Sequence, residues 1–510
     1  MDSSTVIFRA DASSTIGSGH IMRCLALADS LSKRGATICF ASIPLDGHLI
    51  GEVERRGYPV LQLPSRDSHG LLLDEAADAE SFLSALPAAP AVRAGGAVDW
   101  VIVDHYSLGR RWTQAVRRRA KRLLVIDDLV NRALDADVLL NQNVFDCDPY
   151  GELVATSCAK LLGPRYALLV AHYRDCRRPA PMVGRRPERL LVYFGAADTH
   201  LATLTAEVLA GLSVPFYATI VVSATSQQQA RLSQISAVDP RIRVIGHLPD
   251  LAQAMSSSDL FIGACGTTSW ERLCLGLRAI VVTVADNQVP VAQQLSRRGF
   301  VRWAGKSDMI SERELEQAII EEMSIPSDPS LSAQMMAAVD GLGAERVADA
   351  ILFGGEHSRL LFRDITLEDT NLILDWANDP GTRRFAFRSE TIESEDHFRW
   401  FEEKVKNPNV VFLIAETPTG VPIGQVRFEH QKDNFWETSY MIAPLFRGRR
   451  LAINMLGGAI HTLKLRHLNP CIIGLVKTEN YASIRVFEAL GFSRVGRDLG
   501  PEVMRFERRG

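Results

Sequence analysis

The stretch Ile16-Gly17-Ser18-Gly19-His20 constrains the fold more than any other part of this sequence. It follows the apolar run Thr5–Ala10 and leads directly into a segment in which Ile21, Cys24, Leu25, Ala28 and Leu31 recur at three- and four-residue spacing, with Gly35 after it. That periodicity predicts a helix with one buried face, and Gly35 predicts its C-terminal cap. A strand, a two-glycine turn and a helix in direct succession open a βαβ unit. Such a unit belongs to a parallel sheet with helices on its faces, because parallel strands need a crossover connection. Glycines let the backbone pass close to a ligand, and the N–H groups at a helix start attract phosphate. His20, in the first turn, would stand beside any anion held there. An ordinary turn with a solvated or capping histidine has the same composition, so spacing alone leaves both readings open.

The same grammar continues. Apolar runs at residues 6–8, 36–41, 98–103, 123–126 and 138–140 predict the strands of a first α/β domain over residues 1–182. Ligands of parallel sheets bind beyond the carboxyl ends of the strands. Asp11, Asp104-His105-Tyr106, Asp127-Asp128 and Asn141-Gln142-Asn143 each follow such a run, so they are expected on one rim with His20. Residues 88–96 read as a surface loop, and the proline- and arginine-rich segment 177–187 as a boundary. Runs at 190–194, 218–222, 243–245, 260–262 and 279–284 predict a second α/β domain over 187–352, facing the first across a cleft. Its richest turn is Gly263-Ala264-Cys265-Gly266-Thr267-Thr268-Ser269-Trp270-Glu271. Gly266, Thr267 and Thr268 suit a diphosphate and Glu271 a pair of ribose hydroxyls, although Thr268-x-x-Glu271 is equally a helix capping box. Asp286-Asn287-Gln288 closes the next strand toward the same cleft.

Residues 353–358 read as a linker to a third, α+β unit over 359–510. A helix is expected at 367–377 and antiparallel strands at 411–415, 422–429 and 437–442, with a hairpin turn at Thr417-Pro418-Thr419-Gly420. Arg447-Gly448-Arg449-Arg450-Leu451-Ala452 opens an apolar helix, and a last βα unit spans 471–490. Composition narrows the partners. The net charge of −3 gives no electrostatic reason to expect nucleic acid or an anionic membrane. The eight cysteines show no C-x-x-C pair, which suggests reduced thiols and no zinc site. With no basic, apolar leader and no apolar stretch of spanning length, a cytoplasmic protein acting on small molecules is expected.

Taken together, Phe8-Arg9-Ala10-Asp11, Gly17-Ser18-Gly19-His20-Ile21-Met22-Arg23, Asp104-His105-Tyr106, Leu162-Gly163-Pro164-Arg165-Tyr166, the turn ending at Glu271 and Asp286-Asn287-Gln288 resemble the nucleotide-sugar hydrolases of pseudaminic acid biosynthesis. These are metal-independent relatives of the GT-B glycosyltransferases, and the resemblance spans both α/β domains. It implies two Rossmann-like domains about a cleft and inverting removal of UDP from a 2,4-diacetamido-2,4,6-trideoxy-altropyranose by water. His20 would activate that water and Asp11 assist it. Tyr106 and Asn287 would surround the sugar and its leaving group. Arg9, Gly17, Gly19, Gly266, Thr267, Thr268, Asp286 and Gln288 would help to bind substrate, and Glu271 would hold the ribose. The turn Gly195-Ala196-Ala197-Asp198 carries alanines where a second glycine is common in that family. A GT-B transferase passing the sugar to an acceptor alcohol is the competing expectation.

The third unit is similar to the GNAT acetyltransferases. The loop Arg447-Gly448-Arg449-Arg450-Leu451-Ala452 occupies the place of their pyrophosphate loop, with Arg450 where a glycine is usual, and the signature Glu479-Asn480-x-x-Ser483-Ile484-x-x-Phe487 follows. The resemblance implies acetyl-CoA as co-substrate and acetylation of the 4-amino group of the precursor UDP-sugar. Backbone amides near Met441 and Ile442 would polarise the thioester, and Asn480 and Ser483 would line the coenzyme site. Phe487 stands where many members carry a thiolate-protonating tyrosine; its other reading is a core aromatic. A GNAT-like module that binds without chemistry is the alternative.

Overall fold

Burial on both faces explains the apolar run Val6, Ile7 and Phe8 in Thr5–Ala10: this strand, β1, lies inside a sheet with neighbours on either side. The architecture comes from a computed structural model that describes residues 4–65, 74–89, 92, 98–177, 184–195, 200–222, 228–246, 248, 250–432, 434–495 and 502–509. The chain divides into two units, Met1–Val347 and Ala348–Gly510.

The first unit holds two parallel sheets. One contains β1 (Thr5–Ala10), β2 (Thr37–Ser42), β3 (Val60–Gln62), β4 (Val98–Asp104), β5 (Ala120–Ile126), β6 (Val138–Asn141) and β7 (Ala159–Leu162), in the order β3-β2-β1-β4-β5-β6-β7. Phe8 of β1 pairs in register with Phe40 of β2, and their rings stack at 4.8 Å. The glycine turn then feeds the helix Gly19–Ser32, whose buried stripe includes Ile21, Cys24, Leu25, Ala28 and Leu31. Gly35 follows in the left-handed region at φ 85°, where glycine avoids the Cβ penalty.

The other sheet contains β8 (Arg189–Tyr193), β9 (Tyr217–Val221), β10 (Ile242–Ile245), β11 (Leu260–Ala264), β12 (Ala279–Thr283) and β13 (Val301–Lys306), in the order β10-β9-β8-β11-β12-β13. In both sheets the order reverses beside the first strand of the series, which opens a crevice at the carboxyl ends. Gly263 is required there, because a Cβ on it would stand 2.0 Å from the carbonyl oxygen of Tyr193. Strands β3, β7 and β13 lie outside the predicted runs. They are short or polar edge strands with little periodicity to read. Residues 178–183 of the expected boundary, 196–198 of the alanine-bearing turn, and 90, 91 and 93–96 of the expected loop fall outside the described residues.

The second unit is one seven-stranded sheet of β14 (Leu361–Asp364), β15 (Val410–Glu416), β16 (Pro422–His430), β17 (Phe435–Ile442), β18 (Cys471–Lys477), β19 (Ser493–Arg494) and β20 (Val503–Arg508), in the order β14-β15-β16-β17-β18-β20-β19. The turn between β15 and β16 is the predicted one, with Gly420 at φ 81° and its N–H donated to the Thr417 carbonyl. The helix expected at 367–377 is instead a short 3₁₀ turn, Leu367–Asp369, followed by the helix Thr370–Asn378. Asp369 bends back to bond the Thr366 N–H and so divides the two. All strand pairs are antiparallel except β17 with β18, which run parallel in register only from Phe435↔Cys471 to Thr438↔Gly474. Beyond Thr438 the two strands part. Among the described residues no helix is long and apolar enough to cross a membrane.

Candidate functional site

β1 and β4 pair so that Ala10 lies opposite Asp104, which brings the end of β4 under the helix start that carries His20. Asp104 Oδ1 is 2.6 Å from His20 Nδ1. Arg23, one turn further along the helix, grips the same carboxylate through Nε and Nη2, each at 2.6 Å, and reaches Asp128 through Nη1 at 2.8 Å. Burial alone would raise the Asp104 pKa, but Arg23 and His20 outweigh it and hold the group well below the usual carboxylate range. An ionised carboxylate only accepts, so Nδ1 carries a proton toward it, and in the neutral imidazole the lone pair is on Nε2. Arg23 Nη2, itself a donor, is farther from Nδ1 at 3.3 Å. The result is an oriented histidine with one free basic nitrogen at a glycine-lined helix N-terminus.

Tyr106 completes this cluster. Its ring meets His20 edge-on at 4.6 Å, and its hydroxyl donates to Asp128 at 3.3 Å. Burial and then Asp128 push the phenol well above its ordinary pKa, so it stays protonated and available as a donor. From the second sheet, Asn287 Nδ2 donates to the Tyr106 hydroxyl at 3.4 Å, and a Cβ placed on Gly19 would meet Thr267 Cγ2 at 3.3 Å. Residues from both sheets therefore meet in one crevice. Gly17, at φ 83°, turns the chain into it.

Two expectations need correction. Arg9 is fully buried, bonded to Asp78 through Nε at 3.2 Å and Nη2 at 2.5 Å and paired with Asp11 at 2.7 Å, so it braces the site from below and has no surface to offer a substrate. Asp11 is equally enclosed. It accepts from the Ile43 N–H at 2.8 Å and lies 3.5 Å from His105 Nε2, while the carboxylate on His20 is that of Asp104. Asp127, Asn141, Gln142 and Asn143 likewise turn inward, to Tyr150, to the Leu168 N–H and to the Asp128 carbonyl. Asp104, unassigned in the sequence reading, carries one signal there: a charged residue that closes the apolar run 100–103 of a central strand.

In the second sheet, the helix after Gly266 begins at Thr268 with Thr267 as N-cap, and no side chain caps it. The capping box is therefore not formed. Glu271 is half-buried instead, with the Tyr173 hydroxyl donating to it, and burial pushes its carboxyl up to about 7. Thr267, Thr268 and Gly266 remain partly open, and Gln288 is anchored by the Val284 N–H at 3.0 Å. Asp286 is exposed and pairs with Lys306 at 3.0 Å. Among the described residues no group of three or more His, Cys, Asp or Glu side chains is placed to hold a metal ion.

The second unit has its own cavity, of about 1030 Å³, where β17 and β18 part. It is lined by Met441, Ile442, Arg447, Gly448, Arg449, Arg450, Ala452, Asn480 and Ser483, all expected at the coenzyme site. The side chain of Arg447 is held by Asp379 and Thr382, and that of Arg449 bonds the Phe353 carbonyl at 3.2 Å and lies over the Phe446 ring. The loop therefore offers backbone, together with the uncapped N-terminus of the helix Ala452–Arg466. Arg450 adopts φ 58°, the left-handed conformation that a glycine would supply at this place. Its side chain costs strain without changing the turn. Arg450→Gly is expected to stabilise this unit by about 0.5–1 kcal/mol, the left-handed penalty less the extra chain entropy of glycine, and urea unfolding checks it. Phe487 is a core aromatic, 2% exposed and stacked on Phe506 at 5.3 Å, and Gly474 makes room for its ring.

Comparison with known proteins agrees with this division. Residues 359–493 match the acetyltransferase (GNAT) domain family. An uncharacterized protein of Methanocaldococcus jannaschii is 21% identical over 508 residues, 95% of this chain and 96% of the relative. The UDP-2,4-diacetamido-2,4,6-trideoxy-beta-L-altropyranose hydrolase of Campylobacter jejuni is 25% identical over 300 residues, 58% of this chain and 97% of that enzyme. Among solved structures, MurG of Acinetobacter baumannii aligns with 68% of this chain and 99% of its own at 18% identity and a TM-score of 0.47. The chain thus joins a region of paired parallel sheets, similar to a nucleotide-sugar hydrolase, to a domain of the GNAT acetyltransferase family.

Proposed function

We propose that the chain is a bifunctional nucleotide-sugar enzyme, divided at residues 1–182, 187–352 and 359–510. The C-terminal part acetylates the 4-amino group of a UDP-linked amino sugar with acetyl-CoA. The preceding part then hydrolyses the UDP linkage of the 2,4-diacetamido-2,4,6-trideoxy-altropyranose product. The observation that carries the hydrolase half is the His20–Asp104 pair at the glycine-lined helix start, within a region similar to a UDP-sugar hydrolase.

In that reaction a water oxygen attacks the anomeric carbon from the face opposite UDP and the carbon–oxygen bond to the diphosphate breaks. UDP leaves with the bonding electrons, and His20 Nε2 takes the water proton. The diphosphate charge is met by backbone N–H groups at helix starts and by Thr267 and Thr268, while Glu271 holds the ribose. Such prearranged donors supply most of the stabilisation, and the base adds the proton transfer. On the GNAT side, the parted edge Tyr440–Ile442 offers N–H groups to a thioester carbonyl, and the loop 447–452 offers amides to a pyrophosphate.

The test is direct. Full-length protein is given UDP-2,4-diacetamido-2,4,6-trideoxy-altropyranose, or its 4-amino precursor with and without acetyl-CoA, and products are identified by mass and NMR. Free inverted sugar and UDP from the first substrate, and the same products from the second only with acetyl-CoA, are expected. Glycoside formation that requires an added alcohol would instead make the cleft a transferase.

A further inference from the structure

With Phe487 in the core, the proton that the departing thiolate needs must come from another group. We infer that Ser483, backed by Tyr440, supplies it; this rests on the acetyl-transfer reading above. The two hydroxyls come from different elements and meet at the cavity. Tyr440 lies on β17, two residues past Thr438, where pairing with β18 has ended while pairing with Val426 of β16 continues. Ser483 lies on the first turn of the helix Tyr481–Ala489, fixed there by the Asn480 side chain, which accepts its N–H at 3.1 Å. The Tyr440 hydroxyl donates to Ser483 Oγ at 3.1 Å, and both residues line the cavity.

With Tyr440 donating in that contact, the Ser483 O–H is left for another acceptor, and Ser483 lines the cavity. The Tyr440 ring packs edge-on to Phe487 with centroids 6.0 Å apart, so the phenol stands next to the ring whose position leaves the proton donor missing. Burial pushes the Tyr440 phenol up to about 12, partly offset by the Ser483 bond, so it is a donor throughout the working pH range.

The substrate nitrogen lone pair forms a bond to the thioester carbonyl carbon, and the carbon–sulfur bond breaks with its electrons going to sulfur. The Ser483 proton passes to sulfur as Ser483 takes that of Tyr440. Tyr440 is restored by the proton that the acylated nitrogen releases through solvent. Amide and free thiol are the products.

Tyr440→Phe and Ser483→Ala in the full chain are the tests, with thiol release measured on the 4-amino UDP-sugar. General acid assistance is worth about 10²–10⁴-fold at most, and with solvent as substitute a fall in kcat of about 10–100-fold is expected for each. The double variant should fall no further than the worse single one, because the two act as one relay. Calorimetric affinity for acetyl-CoA in Tyr440→Phe and the thermal midpoint of both variants should stay within about twofold and a few degrees of wild type. A normal kcat in Tyr440→Phe, or a loss of kcat matched by loss of acetyl-CoA binding, overturns the relay. Failure of the wild type itself to release thiol overturns the acetyl-transfer reading and the relay with it.

Discussion

Asp104→Asn is expected to lower UDP release by about 10²–10⁴-fold, as much as His20→Ala, although Asp104 itself touches no substrate. The reason is tautomeric. The carboxylate accepts from His20 Nδ1 at 2.6 Å and so leaves Nε2 unprotonated. An amide at the same place can present N–H to Nδ1, which moves the imidazole proton to Nε2 and removes the base. His20→Ala/Asp104→Asn should then be no slower than His20→Ala alone, since the pair acts as a unit. The two single variants differ in stability. Asp104 also receives two bonds from buried Arg23, which keeps Asp128 as its other partner. Removing one carboxylate from that buried cation is expected to cost about 3 kcal/mol, while His20→Ala leaves the ion pair intact. The sign with pH follows from the depressed Asp104 pKa. Its contribution is fully present above the ordinary aspartate range and is lost as pH falls toward the folded value, so Asp104 does not set the acid limb of activity near neutrality. Initial rates of UDP release and urea unfolding of the three variants decide it. Near-wild-type turnover in Asp104→Asn would sink the tautomer argument.

How much of this was legible in the sequence follows from the range of the interactions. The βα alternation, the glycine turns and the position of His20 are local, and periodicity with turn chemistry revealed them. The His20–Asp104 contact joins residues 84 apart in the chain. It depends on β4, and not β2, flanking β1 on that side, which no local pattern states. Pattern reading therefore brought Asp104 and Tyr106 to one rim with His20, while the supporting carboxylate was assigned to Asp11, the nearer one in the chain. Thr268-x-x-Glu271 failed for a different reason. The helix begins one residue earlier than a capping box needs, and a one-residue shift at a helix end lies below what pattern reading resolves. In the second unit the resemblance put Arg450 where a glycine is usual, but an arginine codes for no left-handed turn, so that the loop keeps the glycine conformation is shown only by its φ of 58°. For Phe487 the core reading stood open beside the replaced tyrosine, and the choice depended on Phe506, from a strand outside the predicted runs.

Glu271→Gln should make the protein more stable and a worse nucleotide binder, and the combination distinguishes a functional carboxylate from a structural one. Burial raises the Glu271 pKa from 4.5 to about 7. Below pH 4.5 the group is protonated in both folded and unfolded chains and carries no penalty. As pH rises from there to about 7, the unfolded chain releases the proton while the folded one retains it, so stability falls; above 7 the loss is constant. A shift of this size corresponds to up to about 3 kcal/mol. Glutamine has the same shape and never ionises, so Glu271→Gln should match wild type at pH 4.5 and exceed it by up to about 3 kcal/mol at pH 8. Had Glu271 been capping its helix, the substitution would be neutral or mildly destabilising at every pH. The cost appears in binding. An ionised carboxylate accepts from two ribose hydroxyls, whereas the amide offers one acceptor oxygen, so UDP affinity should fall about 10–100-fold, the worth of a hydrogen bond to a charged group. UDP should also draw Glu271 toward its charged form, so binding to wild type near pH 7 releases a proton, and calorimetry in buffers of different ionisation enthalpy should register that release in wild type and lose it in the variant. Urea titrations at pH 4.5 and 8 beside these UDP isotherms test both halves. A variant that is less stable at pH 8 and binds UDP normally would show that the carboxylate serves the fold and not the nucleotide.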